Sequence, residues 1–189
     1  ATGGAVQTNT APVGISLLTI EEDSARKLDT VSASGGEVVI YTLDRLGVPL
    51  IEIATEPEIL SPKHAQETSK ALGQLLRDTR RVRRGLGTIR QDLNVSLACG
   101  DRVEIKGCQD LDWIPKIIEL EMARQLHFYR LANEMRAEIG QPLLPTNRDD
   151  DDQATEEGIA KSVEELLPCD IADITDLFSN CQSKMVVES

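Results

Sequence analysis

The chain has 189 residues, with 20 Lys and Arg against 32 Asp and Glu, and a formal net charge of −12. At 40% hydrophobic and 28% charged residues it reads as a globular chain of one domain, or one domain and part of another, and not as a disordered segment. No apolar run approaches the roughly 18 residues of a membrane-spanning helix, and the N-terminus lacks the basic-then-apolar pattern of a secretory signal.

The opening ATGGAVQTNTAPVG is small and polar and starts on Ala1. Val13 to Ile20, rich in leucine and β-branched residues, predicts a strand. Glu21-Glu22-Asp23-Ser24-Ala25-Arg26-Lys27-Leu28 places acids first and bases last, the order a helix dipole favours, and predicts a short helix. Ser32 to Gly36 is a small-residue turn, Glu37 to Leu43 alternates as a strand, Asp44 to Gly47 turns, and Val48 to Ala54 is a further apolar run. Ser61-Pro62 is an N-cap followed by a first-turn proline. It opens a helix to about Arg77 whose apolar face is Ala65, Ser69, Leu72, Leu75 and Leu76, with His64 expected in solvent. Thr88 to Ala98 alternates strictly, Cys99-Gly100-Asp101 turns, and Arg102 to Lys106 returns, which is the clearest hairpin in the chain. Asp112 to about Ile139 is a long helix with Pro115 near its start and a stripe of Ile114, Ile117, Ile118, Met122, Leu126 and Tyr129.

After Gly140 the composition shifts, with two prolines and the acidic run Asp149 to Asp152, so residues 140–167 read as a linker that carries a short helix from Ile159 to Leu167. Residues 168–189 begin something new, and Met185, Val186 and Val187 read as a strand just started, as if the chain were cut from something longer. The fold class expected is α+β: antiparallel sheet with the two helices, near 61–77 and 112–139, packed on it. The cysteines Cys99, Cys108, Cys169 and Cys181 form no C-x-x-C pair, so free thiols in a reducing cytoplasm are the default reading and a structural zinc site is disfavoured.

The hairpin holds the densest chemistry. Arg90, Asp92, Asn94 and Ser96 share one face of its first strand, and Arg102, Glu104 and Lys106 share one face of the second. If those faces coincide, Asp92 and Glu104 offer hard oxygen ligands suited to Mg2+, with Arg90 and Lys106 beside them for phosphates; the plain alternative is a solvated face with cross-strand ion pairs. Glu21-Glu22-Asp23 either completes a metal site or is an acidic first turn. Arg77, Arg80, Arg81, Arg83, Arg84 and Arg90 concentrate positive charge around Gly85 and Gly87, an arrangement for RNA or nucleotide phosphate, or else a solvated loop. Glu52 points opposite Ile51 and Ile53. No G-x-x-x-x-G-K-[ST] loop is present, which excludes a P-loop NTPase, and no serine or cysteine has His and Asp partners at a triad spacing.

Three long segments, DRLGVPLIEIATEPEILSP, RRGLGTIRQDLNVSL and RVEIKGCQDLDWIPKIIELEMARQL, resemble the B/E subunit family of tRNA-dependent amidotransferases, and EED after the first strand is similar to its L-E-E-D-A element. The likeness runs from about Val13 to Arg136. Within the family, GLGTIRQDLNVS and VEIKG-x-Q-x-L resemble the archaeal E type more than the bacterial B type, and ADITDLFSNCQSK resembles the opening of the aspartyl-tRNA-synthetase-like domain inserted in that type. The resemblance implies that residues 1–139 are part of an antiparallel cradle and 168–189 the truncated start of the inserted domain. It implies conversion of Glu-tRNA(Gln) to Gln-tRNA(Gln) in the cytoplasm, with ATP and Mg2+ used to phosphorylate the γ-carboxyl and ammonia supplied by an amidase D subunit in a heterodimer or heterotetramer. Asp92 and Glu104 fall on the family's catalytic acids; Glu21 or Glu22 joins them as metal ligands; Arg90, Asn94 and Lys106 contact the nucleotide; Arg80, Arg81, Arg83 and Arg84 contact tRNA or phosphate. The family's G-L-E-x-H-x-Q-L element and tRNA-gripping C-terminal domains are absent from these residues, so the isolated chain is expected to lack amidation activity. TEPE stands where the E type often has T-A-P-D, which leaves Glu56 and Glu58 without an implied role. The competing readings are a bacterial B-type chain and a noncatalytic tRNA-binding scaffold.

Overall fold

The computed structural model describes residues 1, 3–33, 35–85, 87–147, 158, 159 and 161. The chain divides into two compact units, Ala1–Leu60 and a second that starts at Ser61. The expected synthetase-like segment, residues 168–189, the strand at Met185 to Val187 and most of the linker and its helix lie outside the described residues.

The first unit is made of strands. β1 (Gly4–Val6), β2 (Val13–Glu22) and β5 (Pro49–Thr55) form an antiparallel sheet in the order β1-β2-β5, and β3 (Arg26–Ala33) pairs with β4 (Gly36–Thr42) as a separate hairpin. The helix expected over Glu21 to Leu28 does not form. Glu21 and Glu22 instead extend β2, opposite Leu50 and Pro49, and Arg26 begins β3. The favourable charge order is worth a few tenths of a kcal/mol to about 1 kcal/mol. Strand pairing instead satisfies the backbone groups along both segments, and Thr30 and Val31 favour the extended form. The small-residue turn brings Ala33 opposite Gly36, whose φ of 126° is open only to glycine. The turn at Asp44 to Gly47 forms as expected: Leu46 N–H reaches the Leu43 carbonyl at 3.2 Å, and Gly47 takes a φ of 75°.

The second unit packs two helices around a short hairpin. α1 (Pro62–Asp78) opens as the sequence dictates, with the Ser61 hydroxyl accepting from His64 N–H at 3.1 Å. Its buried face is not the expected one. His64 is fully buried with Ala65 and Thr68, whereas Leu75 is exposed. The buried residues of α1 fall mostly in its first turns, where Ala65 joins a core cluster with Ile114 and Ile118 of α2, so position in the fold overrides hydropathy at these residues. β6 (Leu93–Val95) and β7 (Val103–Ile105) pair with Asn94 directly opposite Glu104. The first strand is thus much shorter than Thr88 to Ala98. Beyond Val95 its backbone turns to partners other than the ladder: Leu97 N–H goes to the Gln125 side chain at 3.0 Å, and the Leu97 carbonyl to Gly100 N–H at 3.0 Å.

A 3-10 turn at Leu111–Trp113 leads into α2 (Ile114–Glu138), so the long helix starts two residues later than Asp112. It ends in a Schellman motif, with Gly140 at φ 67°, its N–H on the Ala137 carbonyl and Gln141 N–H on the Arg136 carbonyl at 2.8 Å. Leu93, Val95, Cys108, Ile114, Ile118 and Ala65 form one core cluster, and Ala123, Leu126, Tyr129 and Ile159 another. After Gly140 the chain folds back on α2: Asn133 accepts from Leu144 N–H at 2.7 Å, and the Tyr129 hydroxyl donates to the Leu144 carbonyl at 3.2 Å. The first residues of the expected linker are therefore fastened to the helix. Among the described residues no helix is long and apolar enough to cross a membrane.

Candidate functional site

The hairpin presents one polar face. Leu93 and Val95 are buried against the helices, so Asn94 between them must point outward, and its ladder partner Glu104 does the same. The condition set by the sequence is met at this position, where the two strands' polar faces coincide. Lys106 lies on the same side, with its ammonium 3.2 Å from the Glu104 carboxylate. Both side chains are about half or more in water, so the pair is worth less than about 1 kcal/mol and leaves Glu104 able to take another cation at little cost. Asp92 is exposed and precedes the strand; its Oδ1 accepts from Gly107 N–H at 3.2 Å and ties the base of the hairpin together. Arg90, two residues before Asp92, is exposed as well.

Glu21 and Glu22 stand at the exposed end of β2 in the first unit, and the hairpin acids belong to the second. The neighbouring Asp23 has a structural task. Its carboxylate accepts from Arg45 Nε, its carbonyl from Gly47 N–H at 3.0 Å, and its own N–H donates to the Val48 carbonyl at 2.9 Å. Glu52 lies opposite Thr19 in the β2-β5 ladder. Glu58 accepts from Gly14 N–H at 2.7 Å, a backbone-fastening role that motif comparison leaves unassigned. Among the described residues, no group of three or more His, Cys, Asp or Glu is placed to hold a metal ion by itself.

Arg80, Arg81, Arg83 and Arg84 are all exposed on the segment that leaves α1. Arg80 takes the left-handed conformation, φ 57°, at the position after the helix cap, and its N–H bonds the Arg77 carbonyl at 3.0 Å. Thr79 completes the end: its hydroxyl donates to the Leu76 carbonyl at 2.6 Å and accepts from Arg81 N–H at 3.2 Å. Gly85 and Gly87 also have positive φ, so the loop follows a path that bulky residues would resist.

The expected stripe on α2 omitted its polar members. Glu121 and Gln125 are buried, and they stand at the helical spacing of Ile114 and Ile118, which is the signal that could have found them. Burial alone would raise the Glu121 carboxyl, but hydrogen bonds from Arg124 and Gln125 outweigh it and hold the group below its ordinary range. Cys99 and Cys108 form no disulfide; burial, helped by the Asp110 carboxylate, pushes the Cys108 thiol up.

Comparison with known proteins places the chain in a family. The profile described as GatB/GatE catalytic domain matches residues 1–168. A relative from Methanocaldococcus jannaschii, named as the E subunit of glutamyl-tRNA(Gln) amidotransferase, is 41% identical over 183 residues, or 97% of this chain and 24% of its own length. Proteins of the same name from Pyrococcus abyssi and Methanosarcina barkeri are 43% identical over 98% of this chain and 50% identical over 71% of it. The chain spans about a quarter of the length of these relatives.

Proposed function

The chain belongs to the GatB/GatE catalytic-domain family, and from that membership we propose that it is part of the E-type subunit of an amidotransferase that converts Glu-tRNA(Gln) to Gln-tRNA(Gln). In this reading ATP phosphorylates the γ-carboxyl of the misacylated glutamate, and ammonia from an amidase partner displaces the phosphate. The observation that carries it is the outward pairing of Asn94 with Glu104, with Lys106 alongside, on segments that match the family. A carboxylate resists attack by ammonia until one oxygen leaves as phosphate, so catalysis is a matter of holding phosphates and acceptor in place.

The donors suit Mg2+, which prefers hard oxygens and commonly needs only one or two carboxylates beside water and substrate phosphates. Glu104 and Asp92 of the second unit are the residues that would hold it. When bound, the ion neutralises charge on the transferring phosphoryl group. Asn94 offers an amide oxygen next to Glu104, and Lys106 and Arg90 draw phosphate oxygens to the same face. The exposed arginines from Arg80 to Arg84 give an anionic tRNA backbone a docking surface on an otherwise acidic chain.

In the intact enzyme, Asp92→Asn and Glu104→Gln are expected to abolish ATP-dependent amidation while tRNA binding persists. Charge reversal at Arg81 and Arg84 is expected to weaken tRNA binding in a salt-dependent way. The exposed arginines equally suit a noncatalytic tRNA-binding scaffold, with Glu104 and Asp92 engaged only by Lys106 and Gly107. Full amidation by both acid variants, with binding lost in the arginine variants, would select that reading.

A further inference from the structure

Gln125 of α2 fastens the hairpin face from behind. Gln125 is 6% exposed and uses both ends of its amide. Its Nε2 donates to the Val95 carbonyl at 3.0 Å, and its Oε1 accepts from Leu97 N–H at 3.0 Å. Val95 follows Asn94 directly, so the amide grips the strand one residue beyond the side chain offered to solvent. The second proton on Nε2 goes to Glu121 Oε1 at 2.8 Å. Glu121 is in turn fixed by Arg124, whose Nε and Nη2 reach its two oxygens at 2.7 Å each. The Arg124 guanidinium lies over the Phe128 ring, 5.3 Å from its centroid. Each group in this chain sets the orientation of the next, and an ionised carboxylate, which only accepts, forces the Gln125 amide to present its oxygen to Leu97.

The turn is built to receive that amide. A Cβ at Gly100 would stand 2.1 Å from Gln125 Oε1 and 3.0 Å from its Cδ. The φ of Gly100 is not in the left-handed range, so the glycine is required for the room it leaves and not for its backbone freedom.

We propose that Gln125 is a positioning residue: its amide latches the β6-β7 hairpin to α2 and so fixes where Asn94 and Glu104 stand relative to substrate phosphates. The proposal rests on the reading of that face as catalytic. Phosphoryl transfer is governed by placement, and a shift of about 1 Å in a catalytic group can cost about a hundredfold in rate. A latch acting on placement alters turnover more than substrate affinity.

The test uses the intact amidotransferase with ATP and Glu-tRNA(Gln), four single variants and one double variant. Gln125→Met keeps the volume and removes the amide; Gly100→Ala displaces the amide from the other side; Asn94→Ala and Glu104→Gln probe the face itself. Amide hydrogen exchange at Leu97 reports whether the latch is open. Gln125→Met and Gly100→Ala are each expected to speed exchange at Leu97 and to lower kcat by about tenfold or more, with KM for ATP and for tRNA changed by less than about threefold. Adding Gln125→Ala to Gly100→Ala is expected to cost little further, because the colliding atoms are gone. Unchanged kcat in a folded variant with fast exchange at Leu97, or a loss confined to KM, overturns the proposal while the catalytic reading stands. Full activity in both Asn94→Ala and Glu104→Gln overturns the catalytic reading, and the proposal falls with it. If Gln125→Met does not fold, Gly100→Ala decides.

Discussion

The two units use the same local pattern and reach different ends. In both, alternating apolar and polar residues make antiparallel pairs. In the second unit α1 and α2 lie over the hairpin, so Leu93 and Val95 join a core with Ile114 and Ile118. In the first unit Val6 and Val13 are buried, while Ile20 on β2 is 78% exposed and Ile51 opposite it 56%. Alternation therefore specifies the strand and its two faces; whether the apolar face becomes core depends on a covering element that the strand does not encode.

Truncation on each side of this contrast gives the largest effects. Leu126, 1% exposed on α2, should lose about 2 to 5 kcal/mol as Leu126→Ala, because the site cannot collapse around the missing atoms. Ile20→Ala should stay within about 0.5 kcal/mol, as befits an exposed strand position. Urea unfolding of this chain measures both. A cost at Ile20 equal to that at Leu126 would show that the first sheet is covered in solution and would erase the distinction.

The second unit also buries the carboxylate of Glu121 on α2, and pH tests what it contributes. Glu121 titrates below its ordinary value of 4.5 because hydrogen bonds from Arg124 and Gln125 outweigh its burial. A folded-state value below the unfolded one stabilises the protein above pH 4.5, and that contribution is lost as pH falls through the lowered value. Arg124 is 38% exposed, which weakens the pair, so Glu121→Gln should cost about 1 to 2 kcal/mol at neutral pH. The gap between wild type and variant should close on acidification. A gap independent of pH in urea midpoints would mean that the ionised carboxylate contributes nothing.

Much of this is legible in the sequence, for reasons that differ by residue. Ser61-Pro62 announces α1 because a cap and a first-turn proline act locally. Strand periodicity sorts Asn94 and Glu104 onto the polar faces of their strands, while the coincidence of those faces rests on the register that pairs the two residues. The likeness in the segments Val13 to Arg136 leads to the family that the profile match shows. The burial of His64 is not legible, because it depends on tertiary packing around the start of α1, where the neighbouring Ala65 meets Ile114 and Ile118. The helix expected over Glu21 to Leu28 fails since a weak dipole preference meets strand pairing with Leu50 and Thr42. Glu121 and Gln125 escape a reading by hydropathy because a polar residue on an apolar stripe looks like a break in it, although its spacing is that of the core.

The smallest expected effect concerns Arg80, where one residue serves both the helix end and the charged surface. Its φ of 57° occupies the position where glycine is favoured, at a cost to an L-residue of about 1 kcal/mol. Glycine removes that cost and adds freedom to the unfolded chain, so the net gain from Arg80→Gly should be below about 1 kcal/mol. The bond from Arg80 N–H to the Arg77 carbonyl is backbone and survives the change, as does the Thr79 hydroxyl bridge. If Arg80 contacts tRNA phosphate, the same variant should bind tRNA more weakly, and the slope of log affinity against log salt should fall by about one. Thermal unfolding and a salt titration of tRNA binding read the two effects separately. Higher stability with unchanged affinity and slope would assign Arg80 to the helix end alone and leave Arg81, Arg83 and Arg84 to carry the contact.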